Sequence, residues 1–181
     1  MPMAPSPGDL RRGELRDRLV RLQAELAAAQ AQLAQLGPGE PLPGLYLVMD
    51  VGDQVVALPS AMVLEVVRLV KTTPLPEAPA HVLGTFVYRG EPALALDLGR
   101  FLGHPQPEPD VDAHMVVLST AQPVALVVDR VRALVEAPQV AEAPAGAPRW
   151  LTSSMVAALC RAEGGLVAVL SVEPLLDGVR S

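Results

Sequence analysis

The chain has 181 residues, enough for one ordinary domain plus an extension. Hydrophobic residues make up 50% and aromatics only 3%, so the core must be built from Val, Leu and Ala. A net charge of -6 argues against non-specific nucleic-acid binding, and a single cysteine, Cys160, excludes a disulfide framework within one chain.

No apolar run reaches about 18 residues, so no membrane-spanning helix and no membrane insertion are expected. The N-terminus carries arginines where a signal peptide would carry an apolar core, and a soluble cytoplasmic protein is expected. The charge is uneven. Residues 1–36 hold five arginines against four carboxylates, and the rest holds nine basic against sixteen acidic residues.

In chain order, residues 1–8 are Pro-rich and expected to be disordered. Leu15, Leu19, Leu22, Leu26, Ala29, Leu33 and Leu36 then recur at alternating four- and three-residue steps, an a/d heptad pattern over about three heptads. Asp9 is the expected N-cap, and Gly37-Pro38-Gly39 stops the helix. The seam of Leu15, Leu19, Leu22, Leu26, Leu33 and Leu36 needs a cover. Self-association as a coiled coil and packing back on the same chain both satisfy it.

Residues 38–43 (PGEPLP) read as a linker, dividing the chain into an N-terminal tail and helix (1–43) and a main domain (44–181). From Leu45 the apolar period becomes strand-like. Paired runs flank turn signals: 45–50 with 54–58, 84–88 with 92–96, 115–119 with 124–128, and 156–161 with 166–170. The first arm of the last pair reads as strand or helix. Single strands are expected at 65–72 and 130–136, short helices at 60–64, 79–83, 97–102 and 172–177, and loops at 105–113 and 137–149. The strands are Val- and Leu-rich with little strict alternation, so they should be mostly buried. A short echo links 92–98, 123–131 and 166–175, each an apolar strand closing on an acidic or polar residue. The sum is an all-β domain of about ten strands wrapped into small barrels.

No site chemistry stands out. His81, His104 and His114 are isolated and have no metal-ligand spacing, and His104 reads as exposed in a loop. Cys160 sits in an apolar stretch and reads as a buried, inert thiol. Asp97 and Asp129 might be paired carboxylates for acid–base work, but each follows a strand directly, where capping backbone N–H groups explains it better. No catalytic, metal or cofactor residues are assigned, and no polar constellation marks a small-ligand pocket. Arg89, beside Gly90 at a turn, reads equally as a structural partner of a carboxylate or as an interface anchor. Val63, Val66 and Val67 could be core or a docking surface, and core is the expectation for each.

Five segments in order resemble the CheW-like chemotaxis coupling proteins: LYLVMDVGDQVVALPSAMVLEV, TPLPEAPAHVLGTFVYRG, PALALDLGRFLG, PVALVVDRV and LVAVLSVEPLL. The resemblance runs from about Leu45 to Leu176. Where the family often has Asn-Leu-Arg-Gly, this chain has Val87-Tyr88-Arg89-Gly90. The resemblance implies two small SH3-like five-stranded β-barrels packed side by side, with short helices and, here, an N-terminal helical extension. It implies a non-catalytic adaptor between a chemoreceptor cytoplasmic tip and the regulatory domain of a CheA-type histidine kinase, recruited to receptor arrays. A module of the same kind in motility reversal, development or cluster localisation is the alternative. By position, Val63, Glu65, Gly84 and Arg89 fall where such proteins meet receptor and kinase.

Overall fold

The computed structural model describes residues 7–104 and 108–177. By internal contacts the chain divides into two units, one through Gly37 and one from Pro38. Among its described residues the first unit holds one helix, α1 (Pro7–Ala34). Its first residue is a proline, whose fixed φ and missing N–H suit that position, so Asp9 lies inside the first turn rather than at the cap. Pro7 and Gly8 are therefore helical. The rest of the stretch expected to be disordered lies outside the described residues. Leu15, Leu19, Leu22, Leu26 and Leu33 are all exposed on the helix. Leu36 lies beyond the helix end, in a turn where its N–H donates to the Leu33 carbonyl.

The second unit carries eleven strands among the described residues: β1 (Leu45–Val51), β2 (Gln54–Pro59), β3 (Val63–Arg68), β4 (Val82–Tyr88), β5 (Glu91–Asp97), β6 (His114–Leu118), β7 (Val124–Val128), β8 (Arg130–Glu136), β9 (Gln139–Val140), β10 (Val156–Ala162) and β11 (Gly165–Leu170). Short helices α2 (Leu98–Phe101) and α3 (Val172–Asp177) follow β5 and β11. Turns tighter than α-helix occupy Ser60–Met62 and Arg149–Thr152.

The strands form two sheets with one plan. One runs β8-β1-β2-β11-β10-β9 and the other β3-β6-β7-β5-β4. In each, an antiparallel hairpin (β1–β2 or β6–β7) pairs in parallel, through its second strand, with the second strand of another hairpin (β10–β11 or β4–β5). One edge strand of each sheet follows directly on a hairpin of the other. β2 leads to β3 in the second sheet, and β7 leads to β8 in the first. The echo between 92–98 and 166–175 reflects β5 and β11, which hold equivalent places and each feed a short helix.

Both sheets close. β8 and β9 lie at opposite edges of the first sheet, yet only Ala137 and Pro138 separate them in sequence, so the sheet must curl round on itself. In the second, the segment after β3 meets β4. Thr73 and Thr85 exchange backbone hydrogen bonds of 2.7 and 2.9 Å.

Two hairpin turns explain the register. Arg89 and Gly90 have φ of 49° and 85°, and Glu163 and Gly164 have 50° and 77°. Two successive left-handed residues make a type I′ turn, whose twist matches that of the strands it joins. The second turn sets 156–162 as a strand, removing the helical option. The expected helix at 79–83 is absent. Val82 N–H donates to the Pro79 carbonyl in a turn, and pairing with β5 takes Val82 into β4. The segment 38–43 hangs on the first barrel: Gly39 and Leu42 donate to the Val140 and Pro138 carbonyls, and Leu42 is buried. The loop expected at 137–149 contains β9, the strand this segment lies against.

The core explains the missing alternation. Leu47, Met49, Val56 and Leu58 of the first sheet pack in one cluster with Val116, Leu118, Val124 and Leu126 of the second. The alternate residues Met115, Val117, Ala125 and Val127 join Phe86, Ala93 and Ala95 in a second cluster. β6 and β7 are thus buried on both faces, one toward each cluster.

Candidate functional site

β3 is an edge strand, paired only with β6. Its side chains alternate: Leu64, Val66 and Arg68 are exposed, and Val63, Glu65 and Val67 are half-buried. Glu65 is where the barrel's two edges meet. The Tyr88 hydroxyl donates to Glu65 Oε2 at 2.5 Å, and Arg89 Nη2 donates to the same oxygen at 2.8 Å. The Arg89 guanidinium also sits 5.2 Å from the centre of the Tyr88 ring. The left-handed backbone of Arg89 in the turn after β4 turns its side chain back over the strand end. Glu65 and Arg89, singled out from sequence, are therefore one cluster, and Tyr88 is its third member.

The electrostatics follow from that geometry. The Tyr88 hydrogen bond, with Arg89 behind it, holds Glu65 below its ordinary 4.5, although desolvation pushes the other way. The Glu65 carboxylate raises Tyr88 above its ordinary 10.0. A carboxylate with a lowered folded-state pKa contributes stability above 4.5 that is lost as pH falls through its folded value. A tyrosine with a raised one contributes below 10.0 and loses it as pH rises further. The latch should hold unchanged between those limits. In a Tyr46→Phe background, where Tyr88 is the one remaining tyrosine, ultraviolet titration should place its midpoint above 10.0, and Glu65→Gln should bring it down. A midpoint that Glu65→Gln leaves unmoved would show that the hydroxyl bond does not form in solution.

The other two sequence candidates have different parts. Val63 packs half-buried against the core shared by the two barrels. Gly84 is buried, and Thr73 of the neighbouring segment lies directly over it. Its part within the barrel is to let the backbone close. Val66 and Leu64 are exposed, against the expectation of core for Val66, and Val87 beside Tyr88 is 76% exposed. The period-two spacing of β3 was the signal that could have separated Val66 from Val63 and Val67.

The two carboxylates weighed for acid–base work bond to backbone instead. Asp97 Oδ1 accepts from the Arg100 N–H at 2.9 Å, capping α2, and its Oδ2 lies 3.3 Å from Arg100 Nε. Asp129 Oδ2 accepts from the Gly52 N–H at 2.6 Å in the β1–β2 turn. Both line a cavity of about 10 Å³, room for no more than a water. A wider cleft of about 700 Å³ opens beside it, lined by Asp50, Asp53, Asp112, Arg68, Arg130 and Arg132 among others. Its charges are of both signs, and Asp50 and Arg132 pair at 2.7 Å. Among the described residues no group of His, Cys, Asp and Glu could hold a metal ion. Cys160 is fully buried, and burial pushes its thiol up to about 11, so it stays protonated and inert at neutral pH. His104 is half-buried rather than exposed, its ring edge-on to Trp150 at 5.3 Å. No helix among the described residues is long and apolar enough to cross a membrane.

Comparison with known proteins agrees with this architecture. Protein FrzA of Myxococcus xanthus is 39% identical over 77 residues, a stretch covering 42% of this chain and 46% of FrzA, so the chain spans about half the length of that relative. The crystal structure of the scaffolding protein TtCheW from Thermoanaerobacter tengcongensis superposes with a TM-score of 0.62 at 21% identity, over 72% of this chain and 90% of that one. It shares the fold of two SH3-like β-barrels. Residues 45–180 match the CheW-like domain, a non-catalytic adaptor domain. The family model covers well over half of the chain, and the chain belongs to the CheW-like domain family.

Proposed function

We propose that this protein is a cytoplasmic adaptor that couples the cytoplasmic tips of chemoreceptors to the regulatory domain of a CheA-type histidine kinase, within receptor arrays. The observation that carries the reading is the β3 edge. It carries exposed Leu64 and Val66 on its outer face and, at the alternating position Glu65, the latch to Tyr88 and Arg89. An arginine and a tyrosine at a strand edge are of the residue types enriched in binding hot spots. Half-buried Val63 and Glu65 and exposed Arg89 form the contact, and Gly84 supports it from beneath. The mechanism is positional: the adaptor holds the kinase where small receptor motions shift it between states. Co-sedimentation of the protein with a receptor-tip assembly and a kinase regulatory domain tests this. Retention of the kinase domain only when the adaptor is present is expected, and equal retention without it would refute the role.

A second reading keeps the adaptor and changes the pathway, to motility reversal, development or cluster localisation with other partners. The helix α1 favours it, because it lies outside the matched region 45–180 and offers contacts that a bare pair of barrels lacks. In either pathway the domain 44–181 carries the partner surface, and the leucine seam of the tail 1–43 lets the protein associate with itself.

A further inference from the structure

We infer that α1 pairs antiparallel with α1 of a second copy of this chain. The inference rests on the self-association reading and specifies its geometry. The exposed seam places Arg12, Leu19, Leu26 and Leu33 at one core position of the heptad and Leu15, Leu22 and Ala29 at the other. In a parallel pair each residue meets its own copy. Ala29 would face Ala29 and leave a gap between leucine layers, and Arg12 would face Arg12. Arg11 would also lie beside Arg16 of the second copy on both flanks, since these positions are five residues apart on facing edges.

Reversing one helix resolves all three conflicts in a single register. Leu15 then meets Leu33, Leu19 meets Ala29, and Leu22 meets Leu26, each twice by symmetry. Large side chains fill the space that small ones leave. Arg16 faces Gln30, and Arg18 faces Gln32. The helix has no basic residue in its last turn, so its partial negative end lacks a cation of its own. In the antiparallel pair that end lies beside Arg11 and Arg12 of the second copy, which supply it. The one like-charge contact created is Glu25 against Glu25 at the centre.

The test uses the full chain. One preparation carries Arg16→Cys and the other Gln30→Cys, both at exposed positions. The native Cys160 thiol is buried and does not compete. In an antiparallel pair these two positions are adjacent. In a parallel pair they are 14 residues, about 21 Å, apart along the axis, beyond disulfide reach. On mixing and mild oxidation, the mixed disulfide should exceed both homodisulfides severalfold. Glu25→Gln should also raise association severalfold in sedimentation equilibrium. A mixed disulfide that fails to exceed the homodisulfides in a dimeric protein would overturn the orientation alone. A monomer at every concentration would overturn the self-association reading, and the orientation with it.

Discussion

Gly84→Ala should lower the unfolding free energy by about 3–5 kcal/mol, a large share of the roughly 5–15 kcal/mol that holds a domain of this size. Two effects combine. Gly84 has φ of 133°, a conformation that costs an L-residue about 1–3 kcal/mol. A Cβ there would also collide with the Thr73 carbonyl oxygen, and would sit 2.6 Å from the Thr73 carbonyl carbon and 2.9 Å from the Pro74 nitrogen. All of these are backbone atoms and cannot rotate away. The segment must lift, breaking the paired Thr73–Thr85 hydrogen bonds, each worth about 1 kcal/mol net. Thermal unfolding should show the midpoint falling by about 10 °C. A Gly84→Ala variant within about 1 kcal/mol of the parent would mean that the close approach is not present in solution.

The second large effect concerns cooperativity. Leu126 is 1% exposed in β7, in the cluster that joins the two sheets. Leu126→Ala should cost about 2–5 kcal/mol, the lost transfer energy plus the cavity left behind. Because that cluster is common to both barrels, they should lose stability together. Trp150, the sole tryptophan, packs against the same cluster and reports on it by fluorescence, while far-ultraviolet circular dichroism reports on all strands. In urea, the two signals should shift to lower midpoints by the same amount and remain coincident. Separate transitions would show that each barrel has its own core.

These expectations mark what could be read from residues alone. The strand hairpins were legible because Val/Leu runs around Arg89-Gly90 and Glu163-Gly164 carry both the apolar and the turn signal. The helix α1 was legible from its leucine spacing, and capping by Asp97 from its place between strand and helix. The exchange of β3 and β8 between barrels was not readable from these local runs, because no local pattern says which sheet a strand joins. β9 was missed because two residues, Gln139 and Val140, carry no periodicity, and its pairing comes from Pro41 and Cys160, far away in sequence. The helix expected at 79–83 failed because pairing with Leu96 outweighs local propensity. Glu65 and Arg89 were each visible, but their hydrogen bond spans 24 residues and closes a barrel seam. Tyr88, a departure from the family's usual residue, gave no sign of its part until the fold brought its hydroxyl to Glu65.

The most direct measurement is calorimetric titration of a CheA-type regulatory domain with the full chain and with Glu65→Lys and Arg89→Ala, each checked to be fully folded at the titration temperature. The reversed charge at Glu65 places two cations at the seam and removes the acceptor for Tyr88, and Arg89→Ala removes a candidate anchor. The parent should bind, and both variants should bind at least tenfold more weakly, a loss of about 1.4 kcal/mol or more. Parent and variants binding alike, or no binding by the parent, would contradict an adaptor that grips its kinase through this edge.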